Sequence, residues 1–240
     1  MAKKLNILDM QPKIVMEPIS KDSHYIRCRI LIVCEGEKTE PNYFKSFSMM
    51  KNSSGLVYEV HCDGGRINTL QVVDKAIELK NKAIEKGNPY DDVWAVFDRD
   101  SFSSSDFDNA INKAYNNEIK CAWSNEAFEL WYVYHFDARC TAMNRKDYEK
   151  VLNKRIKDAG YKNGKKAFTY KKNDPNIRNV LSKCNCDEKK AITYAENQAS
   201  NFHDNKFHNH NPCTMVYKLV RLLIGEDKDF IKEIEKKLSD

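Results

Sequence analysis

Short apolar runs that alternate with helical patterns constrain the fold of this chain more than any other sequence feature. The runs occupy residues 29–34, 57–62, 93–97 and 119–123, and helical patterns follow them from Pro41, over 68–86, over 106–117 and over 126–136. Strands that are apolar on both faces are typical of parallel sheets covered by helices. Their alternation with helices predicts βαβ crossovers. The sequence therefore predicts an α/β fold, with a mainly parallel sheet flanked by helices.

The same patterns divide the chain into three regions. Residues 1–25 lack a sustained hydrophobic period and are predicted to form an N-terminal arm, whereas residues 26–137 carry the α/β pattern. Beyond residue 137 the strand signals vanish, and helical patterns follow at residues 146–159, 188–199, 213–224 and 228–238. We therefore expect a helical C-terminal region over residues 138–240.

Positive charge is concentrated in that C-terminal region. Residues 139–190 hold 16 Lys and Arg against 6 Asp and Glu, whereas the rest of the chain holds 24 against 29. A basic segment on an acidic body suits a polyanionic partner such as nucleic acid, although a solvated charged face would show the same pattern. The candidates for nucleic-acid contact are Lys165, Lys166, Lys171 and Lys172, with Phe168 and Tyr170 interleaved for base stacking. A plain solvated loop is the alternative for this segment.

The cysteines and the lengths of the apolar runs indicate the cellular compartment of the protein. The chain has 8 cysteines, but no N-terminal stretch resembles a signal peptide. No apolar run approaches the roughly 20 residues that a membrane-spanning helix needs. Because thiols stay reduced in a protein that is not exported, we expect a soluble, cytoplasmic protein without disulfides and without a membrane partner.

Acidic side chains gather where two of the predicted strands end. Glu35 and Glu40 follow the first strand, and Asp98 and Asp100 follow the third. The carboxyl ends of parallel strands meet at one edge of a sheet, where α/β proteins bind their ligands. Carboxylate oxygens suit Mg²⁺ or Mn²⁺, and such an ion would relieve the repulsion between the acids. The alternative is that acids end strands and cap helices routinely.

Four segments in this order resemble the RloB family, whose proteins resemble a Toprim domain. The segments are residues 30–44, 93–100, 124–131 and 211–220. The resemblance implies a Toprim-like, Rossmannoid sheet in which Glu35, Asp98 and Asp100 bind Mg²⁺ or Mn²⁺ for phosphoryl transfer. Related Toprim nucleases place a second acid shortly after the first glutamate. Glu40 is the candidate for that acid, although its spacing is one residue longer.

The resemblance also implies a function. It predicts a divalent-metal-dependent nuclease that cleaves DNA or RNA phosphodiesters. The candidate RNA partners include tRNA. The resemblance further implies a role in phage defence of the abortive-infection kind, with an AAA- or ABC-type ATPase as a partner protein. A homo-oligomer is also compatible with the sequence. The alternative is a non-catalytic nucleic-acid-binding or adaptor protein that uses the Toprim-like body as a scaffold.

Several further side chains are candidates for the same site. Glu129 is an acid inside an apolar helical run, so it either serves the site or makes a structural hydrogen bond. Ser124 or Asn125 is expected to cap that helix at its N-terminus. Lys38 and Arg66 follow the first and second strands, where either could neutralise a phosphate or lie at the surface.

Other chemistries have weaker signals. Cys184, Cys186, His203, His208 and His210 include enough soft ligands for zinc, but their spacing matches no familiar structural zinc pattern. The sequence has no Walker A loop and no Gly-x-Gly-x-x-Gly fingerprint, which disfavours an ATPase or a dinucleotide enzyme.

Overall fold

A computed structural model describes residues 26–47, 56–65, 68–99 and 102–239. Its strands are β1 (Ile26–Cys34), β2 (Leu56–Gly64), β3 (Asp92–Val96), β4 (Lys120–Cys121), β5 (Ser124–Asn125), β6 (Lys162–Asn163), β7 (Lys166–Ala167) and β8 (Cys213–Thr214). Its α-helices are α1 (Thr39–Lys45), α2 (Thr69–Glu85), α3 (Ser104–Asn116), α4 (Glu129–Tyr134), α5 (Arg145–Asp158), α6 (Ile177–Lys183), α7 (Glu188–Ala199), α8 (Val216–Leu223) and α9 (Lys228–Ser239). The predicted N-terminal arm, residues 1–25, lies outside the described residues.

The central sheet confirms the predicted α/β fold. Its four strands are parallel and follow the order β2-β1-β3-β4. Helices flank the sheet, as a Rossmann-like or Toprim-type arrangement requires. Among the described residues, no helix combines the length and the apolar character needed to cross a lipid bilayer.

Strand β1 divides its side chains between two hydrophobic cores. Ile30, Ile32 and Cys34 pack in one core, and Leu31 and Val33 pack in the other. This alternation follows from the two-residue period of a strand, and it explains why residues 30–34 of β1 are all apolar. The second core is covered by α2 and α3, whereas the first is covered by α1 and by helices α4 to α9.

The basic C-terminal helices therefore pack on the α/β body. Leu152 of α5, Ile192 of α7 and Leu219 of α8 belong to the same core as Ile32 of β1. The core runs without a break across residue 137. A division of the chain into domains at that residue stays a prediction.

The predicted cap at Ser124 or Asn125 is wrong. Both residues form β5, which pairs antiparallel with β8, and the Ser124 carbonyl accepts the Arg99 backbone N–H at 2.8 Å. The Ser124 hydroxyl lies 2.8 Å from the hydroxyl of Thr214. Helix α4 begins only at Glu129, three residues later than the apolar pattern predicts.

The region after residue 137 also contains strands that the sequence pattern does not predict. Strands β6, β7 and β8 have two residues each, which is too short for a hydrophobic period. Strands β6 and β7 form a hairpin whose turn includes Gly164 at a φ of 64°. This hairpin carries the predicted nucleic-acid contacts Lys165 and Lys166.

A close approach between two loops holds the end of β2 against the segment that follows β1. A Cβ atom at Gly64 would lie 2.5 Å from the carbonyl oxygen of Gly36 and 2.8 Å from Cγ of Pro41. Contacts that short do not occur in folded proteins, so only glycine fits at residue 64. The approach sets the position of the segment that carries Glu35.

We predict that Gly64→Ala lowers the free energy of unfolding by about 2–3 kcal/mol, because the new methyl group overpacks against backbone. Chemical denaturation measures the change. Gly164→Ala is the matched control, since no atom lies within 4 Å of its Cβ and only its φ of +64° opposes a side chain. That control should lose about 1 kcal/mol. Equal losses in the two variants would contradict the steric account.

Candidate active site

The strand order places a crevice between β1 and β3. A sheet of order 2-1-3-4 reverses its winding between these strands, and ligands bind outside their carboxyl ends. Glu35 follows β1, and its backbone N–H donates to the Val96 carbonyl at 2.9 Å. The backbone N–H of Asp98, which follows β3, donates to Oε2 of Glu35 at 3.2 Å. The two predicted acids therefore meet at the switch point.

Two helices add further acids at this point. Glu40 lies in the first turn of α1, and Glu129 is the first residue of α4. The side chains are buried with Asp98, at relative exposures of 6% for Glu40, 5% for Glu129 and 5% for Asp98. A Cβ atom at Gly36 would lie 2.3 Å from Oε2 of Glu40, so the bare glycine makes room for this carboxylate.

Burial and like charge both act on Asp98. Burial raises the pKa of Asp98 well above its ordinary range, because the charged carboxylate loses its water. The charges of Glu40, Glu129 and Glu35 raise that pKa further, in this order of size. A hydrogen bond from the Phe128 backbone opposes the rise. The site therefore favours either a proton or a cation at Asp98.

Glu40 is subject to the same two effects and to two opposing cations. Burial raises the pKa of Glu40, and the charge of Glu129 adds to the rise. A hydrogen bond with backbone lowers the pKa, as do the positive charges of Lys172 and Arg145. The cations are therefore close enough to the carboxylates to interact with them electrostatically.

Three buried carboxylate oxygens in this cluster lack a hydrogen-bond partner. They are Oε2 of Glu40, Oδ1 of Asp98 and Oε2 of Glu129. The other oxygen of Glu129 accepts a hydrogen bond from the Tyr170 hydroxyl at 3.3 Å. A buried charged oxygen without a donor is costly unless a cation pairs with it. The donor chemistry, oxygen atoms of carboxylates, fits Mg²⁺ or Mn²⁺.

The described residues do not complete a coordination shell. Among them, no three His, Cys, Asp or Glu side chains are placed to hold one metal ion together. Asp100, the second acid of the predicted pair, lies outside the described residues, as does Arg66. A bound ion would need further oxygen ligands from Asp100, from water or from a phosphate.

The acids border an open pocket of about 390 Å³ that also contains cations. It is lined by Glu35, Gly36, Glu37, Lys38, Thr39, Glu40, Asp98, Arg145, Lys172 and Asn173. Lys38 and Lys172 were both predicted from the sequence as phosphate contacts. Arg145 was not, because it is one of 16 basic residues in its segment and nothing local distinguishes it. Only the docking of α5 beside the strand ends brings it into the pocket.

Hydrogen bonds fix the segment that carries Lys172. The Thr39 hydroxyl donates to the Lys172 carbonyl at 2.9 Å, and the Asn42 side chain donates to the Asn173 carbonyl at 3.3 Å. Two residues earlier, the Tyr170 backbone N–H donates to Oδ1 of Asn153 at 2.6 Å. The basic segment is therefore attached to α1 and α5 at the mouth of the pocket.

A family model for RloB-like protein matches residues 30–223. The chain belongs to the RloB-like family. The match covers the sheet, the carboxylate cluster and the basic C-terminal helices up to α8. No curated protein and no solved structure gave a match.

The cysteines and histidines with zinc-ligand chemistry do not form one site among the described residues. His208 pairs through Nδ1 with Asp108 at 2.6 Å, and His210 pairs through Nε2 with Asp204 at 2.9 Å. Cys184 and Cys186 follow helix α6 and contact the first core. These side chains form no metal-holding group in the part of the chain that the structure describes.

A larger cavity of about 1120 Å³ lies beside the short strand β4. Its lining includes Trp94, Trp123, Met215 and Arg221, and none of the described carboxylates of the cluster contributes to it. Its volume alone does not make it the reaction site. The smaller pocket holds the charged groups that phosphoryl chemistry requires, so we assign the candidate active site there.

We predict that Asp98→Asn raises the melting temperature of the metal-free protein at pH 8 by at least about 3 °C. An acid with a raised pKa binds more protons when folded than when unfolded, so stability falls as the pH rises above about 4. Asparagine removes this loss of stability because it does not ionise. The difference in melting temperature between the variant and the wild type should therefore vanish as the pH approaches 4. Thermal unfolding in a chelator from pH 4 to pH 8 measures it.

The exposed Glu85→Gln is the matched control for this experiment, and its melting temperature should follow the wild type at every pH. An Asp98→Asn variant that melts at or below the wild-type temperature at pH 8 would contradict the electrostatic account.

Proposed function

We propose that this RloB-like protein is a divalent-metal-dependent nuclease that cleaves phosphodiesters of DNA or RNA. The observation that supports the proposal most is the buried cluster of Glu40, Asp98 and Glu129, each with one oxygen that lacks a partner. Buried acids that each keep one oxygen without a donor, at a ligand-binding edge, are typical of sites that hold a cation.

Glu35, Asp98 and Asp100 would hold the ion, with Glu40 and Glu129 beside them. A bound Mg²⁺ or Mn²⁺ would polarise a phosphodiester and lower the pKa of a bound water. Glu35 also connects the ends of β1 and β3, because its carboxylate accepts a hydrogen bond from the Asp98 backbone. This bond keeps Glu35 and Asp98 next to each other. Tyr170 orients Glu129 by donating to its other oxygen.

Lys172 and Arg145 would bind the phosphate. They line the same pocket as Glu35 and Asp98, so one cavity holds both the acids and the cations. Arginine suits two-point binding of phosphate oxygens, and lysine adds a mobile positive charge. These cations would offset the negative charge of the acids when a phosphate enters the pocket.

The family resemblance is the basis for the wider proposals. They are a role in phage defence, a partner ATPase and a cytoplasmic location. The feature of this chain that supports them is the basic segment, which suits a polyanionic substrate.

The second candidate function is a non-catalytic nucleic-acid-binding or adaptor protein. It is favoured by one observation, the excess of Lys and Arg over Asp and Glu in residues 139–190. This candidate keeps the basic surface and needs no ion. Metal binding therefore separates the two candidates.

We predict that Mn²⁺ binds the wild-type protein in titration calorimetry and that Asp98→Asn weakens the binding by at least about 100-fold. Cleavage of a mixed set of DNA and RNA substrates should be lost in the same variant. The loss should come without a fall in melting temperature, because the neutral side chain relieves repulsion.

Asp92→Asn provides the matched control. Asp92 is a buried acid at the opposite end of β3, where its Oδ2 accepts from Trp94 at 3.0 Å and pairs with Lys120 at 2.7 Å. This variant should keep its Mn²⁺ binding. A wild-type protein that binds no Mn²⁺ would favour the adaptor.

A further inference from the structure

The acids of the candidate active site are recessed. Asp98 and Glu129 are each 5% exposed, and Glu40 is 6% exposed. A phosphate reaches such groups only if its strand enters the pocket. The phosphates of a regular duplex lie on a stiff double-stranded rod, whereas a single strand bends into a pocket at lower cost.

A second cavity lies beside the candidate active site, along the basic segment. It measures about 550 Å³ and shares Lys172 and Asn173 with the first pocket. Its lining is Asn163, Lys166, Ala167, Phe168, Thr169, Lys171, Lys172, Asn173, Asp174 and Pro175. The two cavities adjoin at Lys172 and Asn173, and we call them together the groove, which extends from the buried acids to the β6–β7 hairpin.

The chemistry of this second cavity suits a nucleic-acid strand. Lys166, Lys171 and Lys172 give it three positive charges against the one negative charge of Asp174. Phe168 is partly exposed and packs edge-on against Tyr161, with ring centroids 5.4 Å apart, so its ring is held at the groove wall. Cations for the backbone and a fixed aromatic ring for a base are the usual means of binding single strands.

We propose that the groove binds single-stranded nucleic acid and guides it to the buried acids. This inference rests on the proposed nuclease function, and it specifies the substrate class as unpaired DNA or RNA. Both share the phosphate backbone and the stacking bases that the groove recognises. The attachment of residues 170–173 to α1 and α5 keeps the groove formed in the absence of a strand.

Fluorescence anisotropy with labelled oligonucleotides of about 12 nucleotides tests the inference. The buffer contains a chelator, so that binding is measured without cleavage. The arms are single-stranded DNA, single-stranded RNA and the two matching duplexes. We expect single strands to bind at least about ten-fold more tightly than duplexes of the same sequence. Tight binding of only the DNA strand or only the RNA strand would identify the substrate as DNA or as RNA. Equal affinity for both strands would indicate recognition of the phosphate backbone that they share.

The double variant Lys166→Glu/Lys171→Glu should lose at least about ten-fold in single-strand affinity. The control Lys232→Glu/Lys236→Glu makes the same change of charge on the exposed face of α9, and it should stay within about three-fold of wild type. Circular dichroism of both variants checks that they are folded.

Three outcomes would overturn the inference: duplexes that bind as tightly as single strands, a groove variant that binds like the wild type, or no binding of either substrate. The experiment distinguishes a wrong proposal for the groove from a wrong proposal for the nuclease function. Cleavage of duplexes by a protein with an unselective groove would leave the nuclease proposal standing. Single-strand binding without any Mn²⁺ binding would leave the groove standing and remove the nuclease.

Discussion

Repulsion among buried carboxylates at the junction of β1 and β3 is the constraint on which the rest of this structure depends. Glu40, Asp98 and Glu129 are buried beside the half-buried Glu35, and each of these three keeps an oxygen without a donor. Such a cluster opposes folding unless protons or a cation neutralise it. A protein that retains it therefore gives up stability at a point where its fold binds ligands.

Neighbouring features of the fold hold the acids in place. Gly64 and Gly36 allow two loops to approach closely, and any side chain there would displace the loop or the Glu40 carboxylate. Tyr170 anchors Glu129 from the basic segment, so the helical C-terminal region contributes to the cluster as well as to the core. Two cations of the pocket, Arg145 and Lys172, come from that same region, whereas Lys38 comes from the loop after β1. Sheet and helices are thus joined both by apolar packing and by the charge balance of one site.

The sequence was sufficient for the sheet and for the positions of the strand-end acids, because buried strands have a strong apolar signal and parallel strands share an edge. It was insufficient at Ser124, whose backbone pairs with β8 about ninety residues later. Strands β6 to β8 are too short to show a period. Arg145 could not be distinguished from neighbouring basic residues, because only the packing of α5 selects it. Asp100 and Arg66 stay predictions.

Anomalous diffraction at the manganese edge tests the central claim most directly. Crystals of the full chain would be soaked in Mn²⁺ at pH 8, with the Asp98→Asn variant treated in parallel. The account predicts an anomalous peak within coordination distance of the Asp98 carboxylate in the wild type and no peak there in the variant. A wild-type map without a peak at the carboxylate cluster, or with the ion bound only elsewhere, would contradict it.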